Sequence, residues 1–128
     1  MKADEVKLYS YHLADGWTIL AGRSERDNDY LSLKLARPEE WWFHVRGMPG
    51  SHVILRAPEE YNEEPSKECL RAAAAVAAWH SKARNGGNVA VTCTQAKFVS
   101  KPRGAKPGSV TVRRESVMKV RPRLPDNK

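Results

Sequence analysis

The sequence predicts an α+β domain, a mainly antiparallel or mixed β-sheet with one long Ala-rich helix packed on a face. Three observations carry this prediction. Short runs rich in β-branched and aromatic residues recur between turn signals, as in WTILAGR, WWFHV, SHVILR and NVAVTCTQ. A single stretch, LRAAAAVAAWHSKAR, has strong helix propensity. The chain has 128 residues and 41% hydrophobic content, enough for one domain with one modest core.

The elements follow in order. Residues 4–14 read as a loosely ordered lead-in, so the folded core is expected over about 12–122 with short flexible ends, within a single domain spanning 1–128. Asp15-Gly16-Trp17 is a turn signal opening an alternating strand from Trp17 to Arg23. Arg26 to Asp29 is a polar stretch. LSLKLA (31–36) alternates like a strand, but a short helix capped by Asn28 or Asp29 fits equally. Arg37-Pro38 ends it. WWFHV (41–45) and SHVILR (51–56) are strands around a GMPG turn. An acidic loop, APEEYNEEP (57–65), precedes the helix. Ser66 caps that helix, which is expected to run to about Arg84 and end at Asn85-Gly86-Gly87. Its Cys69, Ala73, Val76, Ala77 and His80 can lie close against a sheet. NVAVTCTQ (88–95) is a strand, and residues 98–108 form a shaped loop with two prolines and two glycines. SVTVRR (109–114) and VMKV (117–120) are strands, or one interrupted strand.

The charge is unevenly spread. Residues 1–64 carry 8 Lys/Arg against 12 Asp/Glu, and residues 65–128 carry 14 against 3. Within 97–123 there are nine cations and one acid, Glu115. Such a layout suits a phosphate-rich partner, because each neutralised phosphate releases condensed counterions. No apolar run is long enough to span a membrane, and the N-terminus lacks the apolar stretch of a signal peptide. Two cysteines without a CxxC pattern imply reduced, buried thiols and a cytoplasmic protein.

Two stretches hold the candidate functional residues. In WWFHVR, alternation sends Trp42, His44 and Arg46 to one face and Trp41, Phe43 and Val45 to the other. An indole, an imidazole and a guanidinium in a row suit a surface that stacks bases and pairs phosphates. With Trp42 in the core, only Arg46 would be wet. The loop KFVSKPRGAKPGSV presents Lys97, Lys101, Arg103 and Lys106 on a backbone stiffened by proline. It is not a nucleotide-binding P-loop, since GxxxxGK[ST] is absent. His44 sits opposite His52 and shares its face if the turn has three residues; if it has four, His44 opposes Val53 and the two histidines point to opposite faces. No third ligand accompanies them, so neither a metal site nor a cofactor is expected. No nucleophile stands out for acid–base or covalent chemistry.

Taken together, Asp15-Gly16-Trp17, Gly22-Arg23, Asn28-Asp29, Trp42-Phe43-His44-Val45 and Pro49-Gly50-Ser51-His52-Val53 resemble the RNA-binding domain of the NFACT family. So do Ala77-Ala78, Ser81, Lys101-Pro102 and Gly104-Ala105-Lys106-Pro107-Gly108. The resemblance covers about residues 12–122. The chain departs from the family pattern at Glu40, Ser24 and Thr92-Cys93. The large N-terminal domain and coiled coil of full-length members do not fit in 128 residues, so a stand-alone form of the domain is expected. The resemblance implies RNA binding, to tRNA or rRNA, in ribosome-associated quality control, without catalysis. Ribosome or RNA-modification enzyme partners are implied too. The expected RNA contacts are Arg23, Asn28, Trp42, His44, Arg46, Ser51, His52, Lys97, Lys101, Arg103 and Lys106. Two alternatives are an RNA-modification component using His44 or His52 and a protein-interaction adaptor docking through residues 57–64.

Overall fold

A computed structural model of the chain describes residues 5–60 and 63–125. The expected flexible ends fall partly on residues 1–4 and 126–128, outside the described residues, as do two positions of the acidic loop. Six strands form one sheet. They are β1 (Leu8–His12), β2 (Thr18–Gly22), β3 (Trp41–Val45), β4 (Val53–Arg56), β5 (Val89–Gln95) and β8 (Ser116–Val120). Their order is β1-β2-β4-β3-β5-β8, and every neighbouring pair is antiparallel. Between β5 and β8, β6 (Val99–Ser100) and β7 (Thr111–Val112) form a separate two-stranded ribbon.

One helix, α2 (Lys67–Trp79), covers the first face of the sheet. Ser66 accepts a hydrogen bond from the Cys69 amide and so caps the first turn, as its position in the sequence predicts. The helix ends at Trp79, five residues short of the predicted Arg84, because His80 leaves helical geometry at φ −90°, ψ 42°. Ala73, Ala74, Val76 and Ala77 pack on Ile19, Phe43, Val45, Val53, Leu55 and Val91, all essentially without exposure. Alanine lets the backbone come close. Gly50 continues that approach: it bridges to Ser81, and a Cβ at Gly50 would meet the Cβ of Ser81 at 3.0 Å and a Val45 methyl at 3.1 Å. Both thiols are free and buried, Cys69 under the first turn of α2 and Cys93 in β5.

The second face is where the structure departs from the predicted architecture. It too is covered, by a helical segment and by the β6–β7 ribbon. The polar stretch is helix α1 (Glu25–Tyr30), capped by Ser24 rather than by Asn28 or Asp29. It continues into a π-helical turn over Leu31–Leu35, marked by the Ala36 amide bonding Leu31 carbonyl at 2.8 Å. Leu31 is fully buried on Trp42 and Ile54, with Ala96 and Val99 closing the second cluster. The lead-in also contains an element. Residues 8–12 form edge strand β1, paired from Leu8↔Gly22 to His12↔Thr18. SVTVRR supplies only the two residues of β7.

Candidate nucleic-acid interface

The β3–β4 register settles the histidine pair. Trp41 faces Leu55, Trp42 faces Ile54 and Phe43 faces Val53, so one further step sets His44 against His52. Their rings meet edge to face with centroids 5.2 Å apart. The register is that of the three-residue turn, and the alternation of Trp42 and His44 against Phe43 and Val45 is present.

The predicted open row of Trp42, His44 and Arg46 is not. Trp42 is 1% exposed because the π-helical turn and the segment from Ala96 through the β6–β7 ribbon lie over it. Its indole Nε1 donates to the Ser32 hydroxyl at 2.8 Å, and Ser32 lies 2.8 Å from His52 Nδ1. With Trp42 donating to it, the Ser32 hydroxyl keeps its own proton available for the Nδ1 of a neutral His52. Burial, aided by His44, pushes the His52 pKa down to about 4. Burial also lowers the pKa of His44. The resulting Ser32–His52 pair looks like a nucleophile and its base, but Ser32 is 4% exposed and already engaged by Trp42. It acts as a clamp.

Asn28, Ser51 and His52 form a second clamp, one that shapes the backbone of the 50–52 turn. Asn28 Oδ1 accepts from the His52 amide at 3.0 Å, and its Nδ2 donates to the Gly50 carbonyl at 3.3 Å. Ser51 Oγ donates to the Gly22 carbonyl at 2.6 Å. Gly22 must be glycine, since a Cβ there would run into the Asn28 side chain. Asn28 and Ser51 are buried, so neither is placed as an exposed contact.

The cations divide into three groups, with Arg46 apart from them. Lys97 pairs with Glu39 at 3.1 Å, toward the acidic end of the molecule. Arg23 lies on the α2 side, its guanidinium 4.9 Å from the Tyr9 ring, and shares a groove with Lys82 and Arg84. The third group belongs to the 101–108 loop on the opposite side. Lys101 reaches Asp29 at 3.1 Å and donates to the carbonyls of Lys106 and Ser109. The Gly108 amide donates to Asp29 Oδ1 at 3.0 Å. Asp29 therefore ties the loop to α1 at two points, and Lys101 is the internal fastener. Arg103 and Lys106 point outward and make no ion pair among the described residues. Arg46 is half-exposed, with only a long 3.8 Å pairing to Glu115.

Those placed and misplaced residues match a known pattern along nearly the whole chain. The model of the NFACT protein RNA-binding domain matches residues 7–114. The chain belongs to the NFACT RNA-binding domain family. Among curated NFACT-family relatives, the chain is 38% identical over 115 residues to the Rqc2 homolog RqcH of Bacillus subtilis, covering 90% of this chain and 19% of that protein. It is 42% identical over 113 residues to the Rqc2 homolog RqcH of Streptococcus suis, covering 88% and 20%. It thus spans about a fifth of the length of these relatives. The C-terminal part of the fibronectin/fibrinogen-binding protein of S. suis superposes with a TM-score of 0.83 at 41% identity, over 91% of this chain and 46% of that one. The NFACT match begins at residue 7, which includes the β1 strand that propensity alone leaves out.

Sequence reasoning missed α1 as an element and named none of Arg26, Tyr30, Leu33 and Lys34, the last two from the π-helical turn, as site residues. These line an open groove of about 550 Å³ against Asp29 and Pro107. A signal existed in Ser24-x-x-Asp27, a cap with acids in the first turn. Among the described residues no group of three or more His, Cys, Asp or Glu side chains is arranged to hold a metal ion. No helix among them is long and apolar enough to cross a membrane.

Proposed function

We propose that this chain is an RNA-binding module acting in ribosome-associated quality control, with tRNA or rRNA as its partner and no chemistry of its own. The observation that carries the reading is the 101–108 loop, pinned to α1 through Asp29 while Arg103 and Lys106 stay free. Pinning lowers the ordering cost of binding, and free cations exchange counterions for phosphates. Arg46 adds a third contact beside His44. Lys101, Asn28, Ser51 and His52 support these contacts by holding the loop and turn. Family membership supports RNA as the ligand, and the RqcH relatives support the ribosomal setting.

The test is a salt titration of binding to bulk tRNA and to rRNA fragments. Replacing Arg103 and Lys106 by Ala together should weaken binding and flatten the slope of log K against log salt by about 1.4–1.8, roughly 0.7–0.9 per lost phosphate. An unchanged slope removes the loop as the interface. Crosslinking in cells with sequencing of the bound RNA separates tRNA from rRNA, and recovery of neither overturns the assignment.

A further inference from the structure

We propose that the groove between α1 and the 101–108 loop is a pocket for one unpaired nucleobase, an inference that rests on the RNA-binding reading above. The groove is lined by Arg26, Asp29, Tyr30, Leu33, Lys34 and Pro107 and is open to solvent, with a volume of about 550 Å³. Its surface is mainly apolar, formed by the Tyr30 ring, Leu33 and Pro107. Tyr30 and Leu33 are half-buried, so their side chains are already ordered by packing. A flat aromatic beside small apolar groups is the surface on which bases stack without regard to sequence.

The rim supplies the charge a nucleotide needs. Arg26 and Lys34 are exposed, at opposite ends of the segment, and neither makes an ion pair among the described residues. The one acid, Asp29, is neutralised by Lys101 at 3.1 Å. The wall carrying Pro107 is the same loop that presents Arg103 and Lys106, so a strand gripped there by its phosphates runs past the mouth of the groove. The π-helical turn over Leu31–Leu35 lies beneath it. Single π turns recur at functional sites because they widen a helix locally and re-aim its side chains. An apolar peptide side chain would meet the same floor, but the cations Arg26, Lys34, Arg103 and Lys106 around the groove, unpaired among the described residues, favour a polyanion. A base held inside a duplex cannot enter, so the ligand is single-stranded or extruded.

The experiment compares a short oligouridylate with a fully abasic ribose-phosphate oligomer of equal length, using the whole chain. Wild-type protein should bind the oligomer with bases roughly 5- to 150-fold more tightly. Tyr30→Ala should abolish most of that difference, and Tyr30→Phe should preserve it. Melting curves confirm that each variant is folded. Crosslinking of wild-type protein to 4-thiouridine RNA gives a readout that needs no variant. Adducts on the peptide containing Tyr30 are expected, and adducts confined to other segments overturn the pocket. If both oligomers bind equally with a normal salt slope, the pocket is wrong and the basic loop stands. If neither binds, and bulk tRNA and rRNA fail as well, the RNA-binding reading itself falls.

Discussion

Ser32 occupies a small position with large consequences. Its single hydroxyl serves two buried partners, the Trp42 indole and the His52 ring, across the second face of the sheet. Ser32→Ala should destabilise the domain by about 1–3 kcal/mol for each partner left without a bond, read as a shift in the denaturant midpoint at constant slope. The same chemistry makes stability depend on pH. Burial pushes His52 down to about 4, and burial with the nearby Arg84 does the same to His80. An unfolded histidine titrates near about 6.5, so between about 6.5 and 4 the unfolded chain binds more protons than the folded one. The stabilisation is complete above that window and is lost as pH falls through it. The melting temperature should therefore decline steadily on acidification, and His52→Gln should reduce the decline. Little of this was legible from residue types. Trp42 and His44 alternate correctly, yet alternation says only which face a side chain takes, not whether another layer covers that face. The cover over Trp42 is built from residues 31 and 96–112, which no local pattern connects to WWFHV.

The elements that were legible are those whose local chemistry and tertiary role agree. Ser66 followed by alanines forms a helix anywhere it can pack, and β3, β4 and β5 carry β-branched and aromatic residues in a central sheet. β1 was hidden because LYSYH is half-exposed at a sheet edge and takes its order from β2. LSLKL leaves strand and short helix equally open because its leucines fall two apart, and the π turn that it forms buries Leu31 and leaves Leu33 and Leu35 half-exposed. The 101–108 loop illustrates the same limit. Its stiffness was readable from its prolines, but its attachment point, Asp29, lies more than seventy residues earlier. Asp29→Ala should release both attachments at once. Hydrogen exchange at Gly108 should accelerate, and RNA affinity should fall although Arg103 and Lys106 are unchanged. Retention of full protection at Gly108 would show that the loop is held by other means.

At the scale of the whole molecule, acids of the first half of the sequence gather at one groove. Glu39, Glu40, Glu59, Glu60, Glu63 and Glu64 gather about the groove at the start of β3, beside Trp17 and Trp41. The free cations Arg26, Lys34, Arg103 and Lys106 gather instead about the groove between the 26–34 segment and the 101–108 loop. The acidic end repels an RNA that approaches in the wrong orientation. Glu59→Gln with Glu63→Gln should therefore leave the bound complex nearly unchanged at high salt while altering the association rate at low salt, where the Debye length is long. A rate insensitive to these changes at every ionic strength would remove the acidic pole from recognition.

The two thiols of this sheet-and-helix core double as a clock. Burial raises the pKa of Cys93 to about 11 and raises that of Cys69, so almost no thiolate is available to an alkylating reagent in the folded chain. Cys93 points from β5 into the core beneath α2, so its reaction requires that face of the sheet to be uncovered, whereas Cys69 needs only the first turn of α2 to lift. Pulsed alkylation followed by mass spectrometry would time these two openings separately, using only the protein's own two cysteines as probes.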